Sequence, residues 1–499
     1  MLVFRNNFLI DIDFFGTNYY TEFSFSEIFF SIMLIVSVGG LVMFIGREKE
    51  LAQIKSFLNE QSGCMMIYGK RKVGKTTLIT HALRGVGNTA YYECIKDSLK
   101  ANVDGLIEVL IREKILPARI EFASFTDLFR YLNSLSGTYN IIIDEYPYLK
   151  AINKAETVDS VFQSVIDNST SNIHLFISGS HVGMMKDLLK EKNALYGRFS
   201  SIIQLKELNY LDTAEFYPEL SVYDKAAFYA VFGGSPYINE FIDNCKSLKD
   251  NIIDSLLNQS HSVFNYVNNL LISDFNNVSG AERVLSALGN GKKKYSEIEA
   301  QLGIEKNGLL SKLMTPLLNM EIATKNYPIN RPDDNKKAYY EINDNILRFY
   351  YTYIYKNKSA LQVIGPRAFY EEYIEPSLVT FISHRFKRIC REYFSIMVQS
   401  GKIRGVRNIG TYYYDDSVNK KNGEFDVVLQ RKSGFDFYEV KYYQSPMKLS
   451  EMKQEERQIR DVHGINVSEI GFISINGFET VDSNYQCLTG ANIYCDPIS

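Results

Sequence analysis

The fold is decided by MMIYGKRKVGKTTLI, residues 65–79, in which an apolar run leads into a glycine-containing turn and then a helical pattern. Residues 69–76 match the spacing G-x-x-x-x-G-K-S/T without a mismatch. We predict a strand over Cys64–Tyr68 and a helix over Thr77–Leu83, because the motif functions between these two elements. The glycines let successive backbone N–H groups face a phosphate, so this stretch predicts a nucleotide-binding P-loop.

The positions of this loop have distinct expected roles. Lys75 is expected to reach the terminal phosphates, and the hydroxyl of Thr76 is expected to hold Mg²⁺. ATP and Mg²⁺ are therefore the predicted cofactors. The residues predicted to bind the nucleotide are Gly69, Lys70, Arg71, Lys72, Val73, Gly74, Lys75, Thr76 and Thr77.

A second apolar run, Ile141–Ile143, ends in Asp144 and Glu145. Continuous apolar runs are typical of parallel strands that are covered on both faces. We expect Asp144 to hold the water shell of Mg²⁺ and Glu145 to act as the general base on the attacking water. Further strands are predicted at 90–94, 173–179 and 202–206, which gives an α/β domain with a five-stranded parallel sheet and right-handed crossovers.

Two polar positions beyond this pair are further candidates. Ser178 and Ser180 leave the fourth predicted strand, where a hydroxyl could touch the γ-phosphate or the water. Arg198 precedes the last strand and is a candidate arginine finger, acting in cis or from a neighbouring subunit of a homo-oligomer. The alternative for Arg198 is a solvated surface arginine.

Length and composition limit the class to which this protein can belong. A chain of 499 residues is too long for one core and fits about two to four domains. The net charge of −3 excludes a nucleic-acid-binding character of the whole surface, so any such surface must be local. The six cysteines include no C-x-x-C pair, which argues against a zinc site and favours a reducing cytoplasm.

The N-terminal region contains an uncharged, mostly apolar run over residues 28–46, long enough for a membrane span. The basic residues that follow it would place the remainder of the chain in the cytoplasm. Residues 1–42 are also rich in Phe, Ile, Asn and Tyr, as translated non-coding DNA would be. We therefore favour Met43 as the true start over a real membrane anchor, and treat 1–42 as a leader outside the fold.

Residues 213–275 have dense helical periodicity and follow the P-loop ATPase domain, predicted at 43–212, as a helical lid. Residues 276–345 have the order of a winged helix, with helices over Tyr295–Leu302 and Lys306–Met320. Its wing would pair Ile322–Tyr327 with Ala338–Ile342. The aromatic stretch 346–355, in a helical linker over 346–375, is expected to pack between domains.

The winged-helix module has two alternative roles. Its basic side chains could meet DNA phosphates, although its recognition helix offers few groups that pair with bases. Packing on the nucleotide domain is the other role. The basic side chains concerned are Lys292, Lys293, Lys294, Lys306, Lys312, Lys325 and Arg331.

Six motifs occur along the chain in a fixed order. They are FIGREKEL (44–51), the P-loop, IIIDEYPYL (141–149), FISGSHVGMM (176–185), LYGR (195–198) and GGSPYI (233–238). Together they resemble the archaeal-type ATPase family of AAA+/STAND-like P-loop proteins. The resemblance implies that Gly46 and Arg47 lie near the adenine and that Gly233 begins the helical lid.

Near the C-terminus, EFDVVLQRKSGFDFYEVKYY (424–443) is predicted to form a hairpin. Side chains alternate along a strand, so Glu439 and Lys441 share one face, with Asp426 beside them on the partner strand. Two such carboxylates can bind Mg²⁺, and a lysine can position the hydrolytic water. The alternative is a surface ion pair without catalytic function.

The spacing D-x₁₂-E-x-K resembles the PD-(D/E)xK nuclease core, and residues 376–499 resemble a restriction-endonuclease-like α/β domain. The resemblance makes Asp426 and Glu439 metal ligands. One departure is that Lys387 stands where the family pattern places an acid, and Glu392 is the nearest acid. We therefore expect weak or absent cleavage, and DNA affinity through the basic run 385–407. The alternative function is a signalling or scaffold NTPase with an inactive C-terminal binding module.

Overall fold

The structure is a computed structural model that describes residues 44–118, 120–168, 172–270, 278–304 and 308–495. The chain divides into two units, residues 1–46 and 47–499. Of the first unit only 44–46 are described, and they are irregular. The predicted leader 1–42 and Met43 lie outside the described residues. Across the described ranges, every helix is too short or too polar to span a bilayer.

The first sheet is parallel and has five strands, as predicted. Its order is β2-β3-β4-β1-β5, so the first strand lies in the interior and β4 separates it from β3. All of β3 and β4 is buried, which explains their continuous apolar runs. The strands are β1 (Gly63–Tyr68), β2 (Thr89–Glu93), β3 (Tyr139–Asp144), β4 (Ile173–Gly179) and β5 (Ser201–Gln204). The helices of this region are Glu48–Leu58, Lys75–Ala82, Leu99–Arg112, Phe125–Ser134, Ala155–Asn168 and Val182–Asp187, with a short 3₁₀ helix at Tyr146–Lys150.

The region after β5 is helical, as the periodicity predicts. Five helices lead from it to the next sheet, and the fourth of them continues as a π-helix over Ile252–Leu257. The side-chain oxygens of Asn209, Ser221 and Ser247 accept hydrogen bonds from backbone N–H groups in the first turns of three of these helices, which fixes where the helices begin. The helices are Tyr210–Ala214, Val222–Phe232, Pro236–Asn239, Leu248–Asn251 and Ser262–Asn269.

A small antiparallel sheet follows, in the order β6-β8-β7. Its strands are β6 (Lys293–Lys294), β7 (Ala323–Asn326) and β8 (Tyr339–Ile342). The pairing of β7 with β8 is the one predicted for the wing. The accompanying helices are Val278–Leu288, Tyr295–Leu302 and Leu309–Asn319, the last of which accommodates Pro316 without ending there.

Three helical segments then connect this sheet to the C-terminal one. Asn345–Phe349 continues through non-α turns to Asn357, Lys358–Phe369 contains a kink at Gly365, and Glu375–Gln399 is the longest described helix. We call Glu375–Gln399 the long helix. The aromatic stretch is buried, with Tyr350, Tyr351 and Tyr353 each at most 4% exposed, which agrees with a packing role.

The C-terminal sheet is mixed and has the order β13-β12-β11-β10-β9. The predicted hairpin is present, because β10 pairs antiparallel with β11, while β12 and β13 continue in parallel. The strands are β9 (Asn408–Asp416), β10 (Lys421–Gln430), β11 (Phe435–Lys441), β12 (Val467–Ser474) and β13 (Gln486–Thr489), with helices Leu449–Arg460 and Gly490–Cys495.

One continuous apolar core joins the region after β5 to this C-terminal sheet. Tyr442 shows the connection: its ring stacks on Tyr223 at 4.3 Å and lies 5.6 Å from Phe386 of the long helix. Its hydroxyl donates to the carbonyl of Tyr223 at 2.9 Å. At the end of the chain, Tyr210 donates to the carbonyl of Ile493 at 2.8 Å. The helices between β5 and β6, which the sequence predicts as a lid, therefore share their buried surface with the C-terminal sheet.

The shared core predicts that Tyr442→Ala destabilises the lid and the C-terminal sheet together. Truncating a buried aromatic ring leaves a cavity, and we expect a loss of roughly 3 kcal/mol or more in the free energy of unfolding. Urea denaturation followed by circular dichroism measures it. The matched control is Tyr443→Ala, because Tyr443 is 41% exposed and should leave stability nearly unchanged. Equal losses from the two variants would contradict the shared core.

Candidate functional site

The P-loop follows the end of β1 and leads into the helix Lys75–Ala82, whose N-cap is Gly74. Gly74 has a φ of 91°, in the left-handed region that favours glycine. At Gly69, a Cβ atom would lie 2.1 Å from the carbonyl oxygen of Leu205. The backbone of the loop therefore packs directly against the backbone of the segment after β5, with no room for a side chain. Two of the motif's glycines are therefore required by conformation and by close packing.

Lys75 is held inside this loop and is 6% exposed. Its Nζ donates to the carbonyl oxygens of Gly69 and Lys70, both at 3.1 Å. The loop thus orients its own ammonium group from two neighbouring carbonyls. The helix behind it begins at this point, and the positive end of its dipole makes the same place attractive to phosphate.

Thr76 and Asp144 meet at the carboxyl edge of the sheet. The hydroxyl of Thr76 donates to Asp144 Oδ2 at 3.2 Å. A hydroxyl and a carboxylate are hard oxygen ligands of the kind that Mg²⁺ takes when it retains several waters and phosphate oxygens. These two residues therefore fit the predicted cation. The described residues contain no cluster of three His, Cys, Asp or Glu side chains that could hold a metal ion.

Tyr91 of β2 joins this pair, and it is a residue that the sequence analysis missed. Its hydroxyl donates to Asp144 and lies 3.3 Å from the hydroxyl of Thr76. Burial, and then the charge of Asp144, raise the pKa of Tyr91, so the phenol remains a hydrogen-bond donor. Alternation along β2 places the side chains of Tyr91 and Tyr92 on opposite faces of the sheet. It does not reveal that β2 pairs with β3, which is what brings Tyr91 to Asp144.

Glu145 adopts a left-handed φ of 48° directly after β3. Its Oε2 accepts hydrogen bonds from Ser180, from the backbone N–H at 3.2 Å and from the hydroxyl at 2.8 Å. The structure therefore brings together Glu145 and Ser180, two residues predicted separately. Ser178 is fully buried within β4 and does not reach this edge as an exposed side chain.

A cavity of about 390 Å³ lies over the loop, between Glu145 on one side and Pro236 and Tyr237 on the other. The predicted nucleotide-binding positions that line it are Arg71, Lys72, Gly74, Lys75, Thr76 and Thr77. Helices beyond β5 thus form its second wall. Ser235 donates to the carbonyl of Lys72 at 3.1 Å, and the Lys72 ammonium lies 4.4 Å from the centre of the Tyr237 ring.

Arg47 supports the loop from behind. Its guanidinium donates to the carbonyl oxygens of Val73 at 3.1 Å and Lys206 at 2.7 Å. Arg47 therefore ties the P-loop to the segment after β5. Its predicted place near adenine stays a prediction, as does that of Gly46, which belongs to the N-terminal unit.

Arg198 lies at the opposite edge of the sheet. It binds both carboxylate oxygens of Asp167, at 2.8 and 3.0 Å. Its neighbour Ser200 bonds to Cys64 at the start of β1, whereas the P-loop follows the end of β1. This partly exposed ion pair agrees with the surface-arginine alternative, and a role of Arg198 as an arginine finger in cis stays a prediction. Action in a neighbouring subunit stays a prediction.

The C-terminal carboxylates are paired with lysines. Val427 pairs with Tyr438, so Asp426 and Glu439 occupy adjacent positions of two strands, as predicted. Lys387 Nζ lies 2.7 Å from Asp426, and Lys441 Nζ lies 2.9 Å from Glu439 and 2.8 Å from Glu455. These side chains do not form a cluster of three metal-ligating groups in the described residues.

The pKa values of the two acids reflect these surroundings. Burial alone would raise the pKa of Asp426, but Lys387 and then Lys292 bring it below its usual value. Burial raises the pKa of Glu439, and Lys441 only partly opposes the change. Glu392 does not join these two acids: its carboxylate accepts a hydrogen bond from the hydroxyl of Tyr229 at 3.2 Å. Lys387 thus supplies a positive charge beside Asp426 where a metal-binding site would need an acid.

The basic run 385–407 is not one exposed patch, which corrects the prediction. Four of its seven cations have partners inside the protein: Arg385 binds Asn345, Lys387 binds Asp426, Arg388 binds Asn343, and Arg391 binds the carbonyl of Asp426. Lys402, Arg404 and Arg407 are exposed. Charge spacing along a helix does not show which cations a neighbouring domain will neutralise.

The region of β6, β7 and β8, predicted as the winged-helix module and called the wing module below, contacts the first sheet. Glu321 accepts from Lys186 at 2.7 Å and from Gln204 at 2.7 Å, which favours the packing alternative over a free DNA-binding face. On its other side, Lys292 binds Glu424 of β10 at 2.8 Å. DNA contact by this module stays a prediction.

Comparison with known proteins agrees with the P-loop part of this description. Residues 44–240 match an ATPase domain found predominantly in Archaea, and residues 350–459 match a domain of archaeal and bacterial proteins of unknown function. An uncharacterized protein of Methanocaldococcus jannaschii, MJECL04, is 29% identical over 369 residues, which are 72% of this chain and 79% of that protein.

Two solved structures are similar to parts of the chain. The Walker-type ATPase PABY2304 of Pyrococcus abyssi has 16% identity and a TM-score of 0.48, covering 62% of this chain and 96% of its own. The ORC2 protein of Aeropyrum pernix has 11% identity and a TM-score of 0.43, covering 64% and 96%. Residues 44–240 are thus similar to an archaeal-type P-loop ATPase domain, and residues 350–459 are similar to the family of unknown function called DUF234.

Proposed function

We propose that this protein binds ATP with Mg²⁺, hydrolyses it, and uses the nucleotide state as a switch for its C-terminal half. The observation that carries the proposal is the meeting of Thr76 with Asp144 at 3.2 Å beside the buried Lys75. Lys75 would neutralise the terminal phosphates, and Thr76 and Asp144 would hold the cation. Bound Mg²⁺ would withdraw charge from the β- and γ-phosphate oxygens during transfer.

Glu145 is the proposed general base. Both hydrogen bonds from Ser180 go to Oε2, so Ser180 fixes the orientation of the carboxylate. The other oxygen, Oε1, would take the proton of the attacking water. Tyr91 would hold Asp144 in place beside Thr76, which keeps the two proposed Mg²⁺-binding side chains at the same edge.

The first test is Lys75→Ala. Removing this ammonium deletes the charge that faces the terminal phosphates, and we expect nucleotide binding to be lost. Titration with a fluorescent ATP analogue measures the affinity. The control is Lys55→Ala, an exposed lysine of the preceding helix. ATP binding by Lys75→Ala at the parent affinity would refute the proposed site.

The second test is Glu145→Gln. The amide keeps the shape of the side chain but cannot accept the proton of the water, so binding should persist while hydrolysis falls by about 10²–10⁴-fold. Steady-state phosphate release measures the rate. Glu156→Gln, at an exposed position of the next helix, is the control. Hydrolysis at the parent rate would exclude Glu145 as the base.

For the C-terminal half we favour a binding module without nuclease activity. The specific observation is the 2.7 Å pair of Lys387 with Asp426, because an internal ammonium offsets the charge that a metal ion would otherwise offset. DNA is the proposed partner, through the exposed cations Lys402, Arg404 and Arg407 and the wing module. A protein partner for the same inactive module is the alternative.

These cations predict DNA binding that weakens with salt. If three of them meet phosphates, the affinity should fall by about 40-fold between about 50 and about 200 mM salt, given a slope of about 0.9 per phosphate contact. Fluorescence anisotropy of labelled duplex DNA measures it. The double change Arg404→Ala with Arg407→Ala should flatten this dependence, and the control pair is Arg112→Ala with Arg130→Ala on the ATPase domain. Affinity that does not respond to salt would favour the protein-partner alternative.

The same samples test cleavage. The parent protein should leave the DNA intact with Mg²⁺ or Mn²⁺, because Lys387 and Lys441 are paired with the proposed ligands. Metal-dependent cutting that is lost in Glu439→Ala would show that a nuclease site does assemble.

A further inference from the structure

Lys70, inside the P-loop, is bonded to a residue far along the chain. Its Nζ lies 3.2 Å from Asp344 Oδ2 and 3.9 Å from Glu207 Oε1. The side chain of Asp344 is 5% exposed and that of Lys70 is 22% exposed. Asp344 follows the wing strand β8, so a residue outside the ATPase domain closes one side of the P-loop.

Lys70 connects this ion pair to the phosphate-binding side of the loop. Its own carbonyl oxygen accepts a hydrogen bond from Lys75 Nζ at 3.1 Å. The ammonium of Lys70 is thus held by Asp344 on one side, while its backbone holds the ammonium of Lys75 on the other. A shift of Lys70 toward or away from Asp344 would move the group that meets the terminal phosphates.

The charges make Asp344 the main partner of Lys70. Burial would raise the pKa of Asp344, but Lys70 and the backbone N–H of Leu347 bring it below its usual value, so Asp344 is ionised at neutral pH. Burial, and then the charge of Asp344, raise the pKa of Glu207 to about 7. Glu207 is therefore only partly charged near neutrality. Without Asp344, the partly buried ammonium of Lys70 would keep only Glu207, at 3.9 Å, as a carboxylate partner.

Asp344 also fixes the start of a helix. Its Oδ1 accepts from the N–H of Leu347 at 3.1 Å, which caps Asn345–Phe349. The next residue, Asn345, accepts from Arg385 of the long helix at 2.9 Å and donates to the carbonyl of Tyr229 at 2.7 Å. Asp344 and Asn345 are therefore the point at which the P-loop, the lid and the long helix meet.

We infer that Asp344 is a positioning residue of the nucleotide site, supplied by the C-terminal half, and that it acts through Lys70 to hold the P-loop in its nucleotide-binding conformation. This inference rests on the proposed ATP-binding function. Its consequence is that nucleotide affinity depends on the C-terminal half and, by reciprocity, that bound nucleotide stabilises the helix that Asp344 caps.

The experiment is Asp344→Asn, because asparagine keeps the N-cap but removes the charge. ATP affinity should fall by about tenfold, as expected if the competent fraction of the P-loop drops to about a tenth. In steady-state hydrolysis KM should rise while kcat stays unchanged, because the lost contact is not specific to the transition state. The matched control is Asp333→Asn, at an exposed position of the wing loop. Unchanged or tighter ATP binding by Asp344→Asn would overturn the inference.

A double-mutant cycle separates positioning from a general structural role. In a Lys70→Met background, Asp344→Asn should have no further effect on ATP affinity, since its only proposed route is through Lys70. A second tenfold loss in that background would show that Asp344 acts by another route, and the inference would fail.

Hydrogen exchange tests the parent protein without any substitution. Saturating ATP should slow exchange in the peptide that contains residues 345–349, whose first turn is capped by Asp344, and an unchanged rate would overturn the inference. Failure here is distinguishable from failure of the proposed function. If Lys75→Ala abolishes binding while Asp344→Asn and the exchange rates show no effect, the ATP site stands and only the positioning role is lost.

Discussion

Parallel pairing in the first sheet is the constraint on which the rest of the structure depends. Because β4 pairs with β1 on one side and with β3 on the other, Ile67 lies opposite Ser178 and Ile143 opposite Ile177. All three strands then end at the same edge of the sheet, and the residues at or just after the end of each strand contribute to the site. The P-loop follows β1, the acidic pair follows β3, and Ser180 follows β4. No additional element has to bend to assemble the site.

Local patterns predicted the parts of this site that are local. The P-loop spacing identified Lys75 and Thr76, and the apolar run before Asp144 identified β3. Tyr91 was missed because it meets Asp144 from 53 residues away, and Asp344 because it meets Lys70 from 274 residues away. Such contacts depend on tertiary pairing, which a single sequence does not encode in any short pattern. The partner of Arg198, Asp167, likewise cannot be foreseen from the spacing of the sequence.

In the C-terminal sheet, different elements set the positions of the carboxylates and their surroundings. The hairpin and the neighbouring positions of Asp426 and Glu439 follow from alternation along two strands. What the carboxylates do depends on a third element, the long helix, which brings Lys387 within 2.7 Å of Asp426. An ammonium at that distance provides charge compensation of a kind that needs no divalent ion. Asp426 and Glu439, whose side chains are 32% and 26% exposed, are thus members of ion pairs with lysines.

The continuous core that joins Tyr210, Tyr442 and Ile493 has a consequence for how such a protein can change during evolution. Modular ATPases acquire new outputs when one effector domain replaces another at a linker. Here the C-terminal sheet shares its interior with the helices that follow β5, so a replacement would expose aromatic side chains on both parts. Lineages that carry this arrangement would inherit the two parts as one unit, and new specificity would have to arise on the surface of the existing domain.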